Sequence, residues 1–315
     1  MRLRSAGKAK FSGTILACAA AAGTLATAGL GSAPAANASC ASFFGIGNSA
    51  DCSSTITTIA IALGNGATAH AGGLFGAAFA IGTGAQAYIA TGPFLGGGGY
   101  FNTAISVGTN SYAQTAGLFS IAVASGDNTG ANAGLGSSPF TGTTQIGNIT
   151  LALRGPGRPL AVSQADGIGN IAVVLGQDQT AQARGVGNTA FSFFGTGSDA
   201  EAFGALNNAT NLFTDHTSTA SYDASPPNAA FASLAFTILG KTNTVAAGPG
   251  PFAVAGSILQ TGATVTKVGP GFHINDVVVG GAAAQHKATK AASTTAASAP
   301  TGPKAAAASA RHAKN

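Results

Sequence analysis

Apolar and polar positions alternate with a period of two over short stretches of this chain, and the stretches recur. TIAIALG at 58–64, NTAISVG at 102–108, SIAVASG at 120–126 and NIAVVLG at 170–176 share one register. Each starts with a polar residue, has alanine third and a β-branched residue fourth, and ends in glycine. NITLALR at 148–154 is a degenerate copy, and NTAFSFFG at 188–195 carries one extra residue. After each heptad comes an alanine pair: Ala67/Ala69, Ala85/Ala87, Ala131/Ala133, Ala181/Ala183 and Ala200/Ala202. Polar Thr68, Gln86, Asn132, Gln182 and Glu201 sit between the paired alanines. Period-two alternation is the pattern of a half-buried strand. Apolar stripes of period 3.6 are missing, and glycine and β-branched residues disfavour helix.

The terminal glycines set the repeat. Gly64 to Gly82 and Gly108 to Gly126 are 18 residues, and Gly176 to Gly195 is 19. The spacing predicts an all-β fold, a parallel β-solenoid or β-roll of about 18–19-residue coils, with two short strands per coil. Asn102, Asn170 and Asn188 open their strands at a corner, where asparagine tolerates turn geometry and bonds local backbone. Gly64, Gly82, Gly108, Gly126, Gly176 and Gly195 close them, at positions where a positive φ is expected. Two orientations are open. With the large residues of the first strand inward (Ile61/Leu63, Ile105/Val107, Val173/Leu175), each coil is self-sufficient, and this is the expected arrangement. With alanine inward on both strands, an aliphatic ladder faces out and demands a partner. Phe43, Phe44, Phe191, Phe193 and Phe194 are expected as core or cap residues. Interruptions at 91–100, 135–143, 154–159, 223–230 and 247–251 read as surface loops or as a binding side.

The flanks are different material. Arg2, Arg4, Lys8 and Lys10 precede an uncharged apolar run from Thr14 to Leu30, and Ala36-Asn37-Ala38 offers a small-x-small cleavage site. Residues 1–38 are therefore read as a signal peptide cut between Ala38 and Ser39. Lipidation at Cys18 and a retained membrane anchor are the competing readings, the latter disfavoured because Ala/Gly-rich stretches are weak spans. The mature chain is expected to lack a transmembrane segment. Cys40 and Cys52, an even pair in an exported chain, predict a disulfide that closes a cap over 39–57. Such a loop stabilises by about 3 kcal/mol in the chain-entropy account. The repeats occupy 58–281, and 282–315, rich in Ala, Lys, Ser and Pro, reads as a disordered tail.

Charge changes meaning once the chain is divided. The net +5 rests on four cations of the leader and five of the tail. Between them, five cations face nine acids, a net of −4. A nucleic-acid partner is not expected. With 7% charged residues, candidate acids, bases and ligands are few. His70, His216, His273, His286 and His312 are isolated, with no zinc-like spacing. Asp215-His216 near Ser218 is the only cluster that suggests nucleophilic chemistry, and its neighbours in sequence point apart. Asp166, Asp178, Asp199 and Glu201 are expected on a solvated rim. Asn148 and Asn208 fit glycosylation sequons. No catalytic residue, metal site or cofactor is predicted.

The N-x-A-x-x-x-G heptads with A-x-A turns between them resemble the head-domain β-roll repeats of trimeric autotransporter adhesins, from about Thr55 to Gly204. That resemblance implies a left-handed β-roll that holds surfaces or matrix, although neither a heptad stalk nor a terminal barrel pattern follows. GIGN at 45–48 and 167–170 and VGN at 186–188 also resemble Gly/Asn-rich repeat surface proteins of mycobacteria. The expected function is that of a secreted or cell-surface bacterial repeat protein, non-enzymatic and adhesin-like, presenting its turn loops. A self-associating structural component of the envelope is the alternative. The expected partners are a cell-wall or matrix polymer and a second copy of the chain.

Overall fold

A computed structural model of the chain describes residues 39–90, 99–134, 145–154, 161–221 and 230–280. The leader, the tail and most of the interruptions at 91–100, 135–143, 154–159 and 223–230 lie outside the described residues. What is described is all strand and turn, a parallel β-solenoid. One sheet contains 14 strands and the other 11, and chain order alternates between them. Asn170, Asn188 and Asn207 mark successive coils 18 and 19 residues apart. Among the described residues no helix is long and apolar enough to cross a membrane.

Strand length follows from the heptads. Ile59–Leu63, Ala77–Ile81, Thr103–Val107 and Ile121–Ser125 run parallel and in register on the long sheet. The alanine-pair segments, such as Thr68–Ala71, Gln86–Ile89 and Gln179–Ala183, form the short sheet. Every backbone group a five-residue strand cannot satisfy alone is met by the coil above or below. The extra residue of 188–195 is absorbed as a bulge, where the register shifts between Leu175 and Gln177.

The orientation corrects the expectation. Alanine points inward on both sheets. Ala60, Ala62, Ala78, Ala80, Ala122 and Ala124 face Ala67, Ala69, Ala85, Ala87, Ala131 and Ala133, all at most 1% exposed. Ile61, Ile105, Val173 and their equivalents point out. The cause is coil length. Eighteen residues, less the corners, hold the two sheets too close for facing isoleucines, and the interior is filled mainly by Ala, Ser, Thr, Asn and Val, with Ile89 and Gln179 as larger buried residues of the short sheet.

One corner is a column of left-handed residues. Phe75, Phe101, Phe119, Leu206, Ala232 and Phe252 have φ between 51° and 57°, and Gly147, Gly169 and Gly187 occupy the same column in intervening coils. Asparagine follows, not in the turn itself but buried behind it. Asn102, Asn170 and Asn188 are joined by Asn148 and Asn207, all at most 1% exposed. Each bonds across coils, and Asn188 and Asn207 also donate to the local carbonyls of Arg184 and Phe203. The Asn170 side-chain amide donates to the Gly185 carbonyl at 2.9 Å, and its Oδ1 accepts the Asn188 N–H at 2.9 Å. Burial closes the Asn148 sequon.

At the opposite corner Gly64, Gly82, Gly108 and Gly126 have φ from 126° to 131°, and a Cβ on Gly64 would strike the Gly82 carbonyl. Gly176 has φ 155°. Gly195 departs from the pattern: Phe194 takes the left-handed conformation (φ 54°), and glycine is needed at 195 because a Cβ would strike the Thr214 carbonyl.

Both ends are closed. Ser39–Phe43 lies antiparallel on Ile59–Leu63 and turns back through Ile46–Gly47. The Cys40–Cys52 disulfide ties that cap strand to the first strand of the short sheet. At the other end Gly271–Ile274 and Val277–Val279 form a hairpin, with Lys267 and His273 buried beside it. Such closures keep open sheet edges from templating further pairing.

Candidate functional site

The outward side of the long sheet is the most distinctive surface. Its central column runs Ile61, Phe79, Ile105, Val123, Leu151 and Val173, then Phe191, Thr210 and Phe236, in register from coil to coil. The Phe236 ring fills the place where Gly256 has no side chain. Flanking columns carry Ile59, Ile121, Ile149, Ile171 and Leu234 on one side and Leu63, Ile81, Leu153, Leu175 and Ile238 on the other. No outward position of the eleven parallel strands carries a charge. Leu63, Ile81, Ile121 and Ile149 remain 40–45% exposed, while the central column is shielded mainly by its own neighbours above and below.

The corners extend this surface. Phe75, Phe101 and Phe119 stack at 5.1 Å between ring centroids, and Phe194 and Phe213 stack at the same distance on the other edge. Phe191, Phe193 and Phe194 form a continuous ring contact from the face to that edge. Phe191, Phe193 and Phe194 are thus outward residues, which corrects the expectation of core packing for them, while Phe43 and Phe44 belong to the cap. Phe44 and Phe194 are about 60% exposed. Left-handed φ at phenylalanine is strained, so each coil that carries one keeps an exposed ring against a backbone cost that glycine avoids three coils on.

The short sheet presents the opposite character. Thr68, His70, Gln86, Tyr88, Tyr112 and Gln114 line a shallow groove of about 230 Å³. The Ser53 hydroxyl and His70 Nδ1 are 2.7 Å apart. Further along, Asp199 and Glu201 share the face. Burial raises the Glu201 carboxyl above its ordinary range, the Asp199 charge adds to this, and Arg184 offsets part. Asp199 is raised chiefly by burial, with Thr180 lowering and Asp178 raising it. Asp166, expected on a solvated rim, is buried instead, with Arg184 Nε at 3.9 Å and the Gln164 amide at 3.0 Å. Asp215 and His216 lie at a corner, not on a strand, with φ 48° at His216.

A pH dependence follows. Raised folded-state values mean that the folded chain holds these protons more tightly than the unfolded chain. Their contribution is complete below the unfolded values of about 4 and is lost as pH rises through the raised ones. Glu201→Gln is therefore expected to raise the Tm relative to the parent between pH 4 and 7, and to match it near pH 3. Thermal melts across that range check this, and an offset independent of pH would overturn it.

Ser39 opens the cap strand, while Ala38 lies outside the described residues. Among the described residues, no group of three His, Cys, Asp or Glu could hold a metal ion. Comparison with protein-family models, curated proteins and solved structures finds no match for this chain.

Proposed function

We propose that this chain is an exported, non-enzymatic repeat protein of the bacterial cell surface or its matrix, and that it works through the aliphatic face of the long sheet. The observation that carries the reading is the outward ladder itself: eleven parallel strands with no outward charge, on a chain whose other sheet is polar. Contiguous apolar patches on soluble chains are usually limited to a few hundred Å² and mark interaction sites when larger. The adhesin resemblance points to the same cell-surface setting.

One observation favours the loop-display reading as a second. Three interruptions, after Gln86–Ile89, Thr129–Ala133 and Ser218–Ser221, leave the short sheet towards the same corner. Retention on the producing cell separates the two. Ile105→Lys combined with Leu151→Lys is expected to release most of the protein into the medium, with the fold intact by circular dichroism. Shortening 91–98 and 135–144 should leave retention unchanged. Retention that survives the lysines and fails with the shortened loops overturns the face reading.

A further inference from the structure

We propose that the occupant of the aliphatic face is the same face of a second copy, giving a closed, face-to-face pair; this rests on the reading of that face as the working surface.

Size is the first argument. Eleven strands spaced at about 4.8 Å and three outward rows at about 6.6 Å give a face of roughly 50 by 15 Å, or roughly 750 Å². A standard stable interface buries about 800 Å² per partner. The face is therefore as large as one partner's share, before the corner rings Phe101, Phe119, Phe194 and Phe213 are added.

Chemistry is the second. A peptide, glycan or anionic polymer would be met by at least some charge or hydrogen-bonding side chains. Here the rows offer chiefly Ile, Leu, Val and Phe, with Thr103, Ser125, Thr189, Asn208 and Thr210 as polar exceptions. The surface that satisfies such a face along its whole length is another uncharged, equally long, equally flat one. A second copy meets that requirement, and no like charges oppose its approach. Its columns have the same coil-to-coil period, so ridges of one copy can seat between rows of the other at the usual sheet-packing distance of about 10 Å.

Closure is the third. The opposite sheet carries Thr68, Gln86, Gln114, Gln182 and Glu201 outward. Pairing through the long sheet therefore buries the apolar faces of both copies and leaves both polar faces in water. Such an isologous contact stops at two. The ends of the long sheet act in the same direction, since the antiparallel strands at 39–43 and 277–279 break its parallel repeat and disfavour end-to-end stacking of that sheet.

Light scattering on the purified chain is the test, run beside the two-lysine variant of Ile105 and Leu151 and a control with Gln86→Lys and Gln114→Lys on the polar face. The parent and the control are expected at twice the single-chain mass, and the Ile105/Leu151 variant at once that mass, with all three giving the same β-rich circular dichroism. A parent that is monomeric at 50 µM overturns the pair. If the lysines still release such a monomer from the cell, the face reading stands and a different occupant holds it; if they do not, both fall. An open-ended assembly overturns closure, and a variant that stays double in mass places the contact on another surface.

Discussion

Replacing Asn170 with alanine should cost the fold about 4 kcal/mol, read as the loss of unfolding free energy in urea. Asn170 is fully buried between coils. Its Oδ1 accepts the Asn188 N–H, and its amide donates to the Gly185 carbonyl and to Asn148 Oδ1 at 3.3 Å. Alanine removes the side chain without removing those partners. The Asn188 N–H is then left unsatisfied in the interior, while the Gly185 carbonyl and Asn148 Oδ1 each lose one bond and keep the Ile168 and residue-170 N–H groups. Each unsatisfied buried polar group costs about 1–3 kcal/mol, whereas a hydrogen bond lost at the surface costs far less. The same change at Gln182, on the outer polar face, should therefore stay within about 0.5 kcal/mol. Serine at 170 should recover part of the loss, because Ser233 occupies the same column and its hydroxyl donates to the Gly250 carbonyl of the next coil at 3.2 Å. A loss below 1 kcal/mol at Asn170 would mean that the column does not hold the coils together.

The sequence carries the period, the strands and the corners of this fold, because all three depend on local chemistry. Gly64, Gly82 and Gly108 recur where the backbone needs a left-handed conformation and close passage of a neighbouring carbonyl. Asn102, Asn170 and Asn188 recur where one side chain can bond two coils. Asn148 and Asn207 belong to the same ladder. The degenerate heptad NITLALR hid the first, and the doublet Asn207-Asn208 drew attention to the second as a sequon partner. The Cys40–Cys52 bond followed from parity in a chain read as exported. What alternation cannot supply is a sign. A strand reading Ile-Ala-Ile-Ala-Leu turns either set inward, and the ordinary preference for burying isoleucine selected the wrong one.

A different signal was available. Inward positions on the long sheet are held to Ala, Ser, Thr, Asn and Val in the strands from Ile59–Leu63 to Ala253–Ile258, as at 60, 106, 150, 174 and 211. Outward positions range from Ala77 through Thr103 to Phe79 and Phe191. Uniformly small size marks a place where space is fixed, and variation in size marks a place where it is not. Buried Asp166 escaped although its partner Arg184 stands one 18-residue coil further on, because the pair of opposite charges occurs in one coil and does not recur with the repeat.

Swapping size between the two sides of one strand tests that inversion directly. Ala122→Leu is expected to destabilise the fold by about 3 kcal/mol, while Val123→Leu, one residue on, should change it by less than about 0.5 kcal/mol. Ala122 is fully buried, pairs in register with Ala104 and Thr150, and belongs to the same packed cluster as Ala131 and Ala133 of the short sheet. Three added carbons there must part the sheets, and parting them strains the corner bonds of the coils on either side. Val123 lies on the outer face, where an extra methylene meets only its ladder neighbours Ile105 and Leu151. Burying one leucine would favour the inward position by about 1.5–3 kcal/mol in a core with room for it. In this one the steric cost wins, because the distance between sheets is fixed by an 18-residue coil. Urea unfolding of the two variants measures the difference. Equal costs, or a larger cost at Val123, would mean that the large residues face in, and the aliphatic face would then have no surface on which to meet a partner.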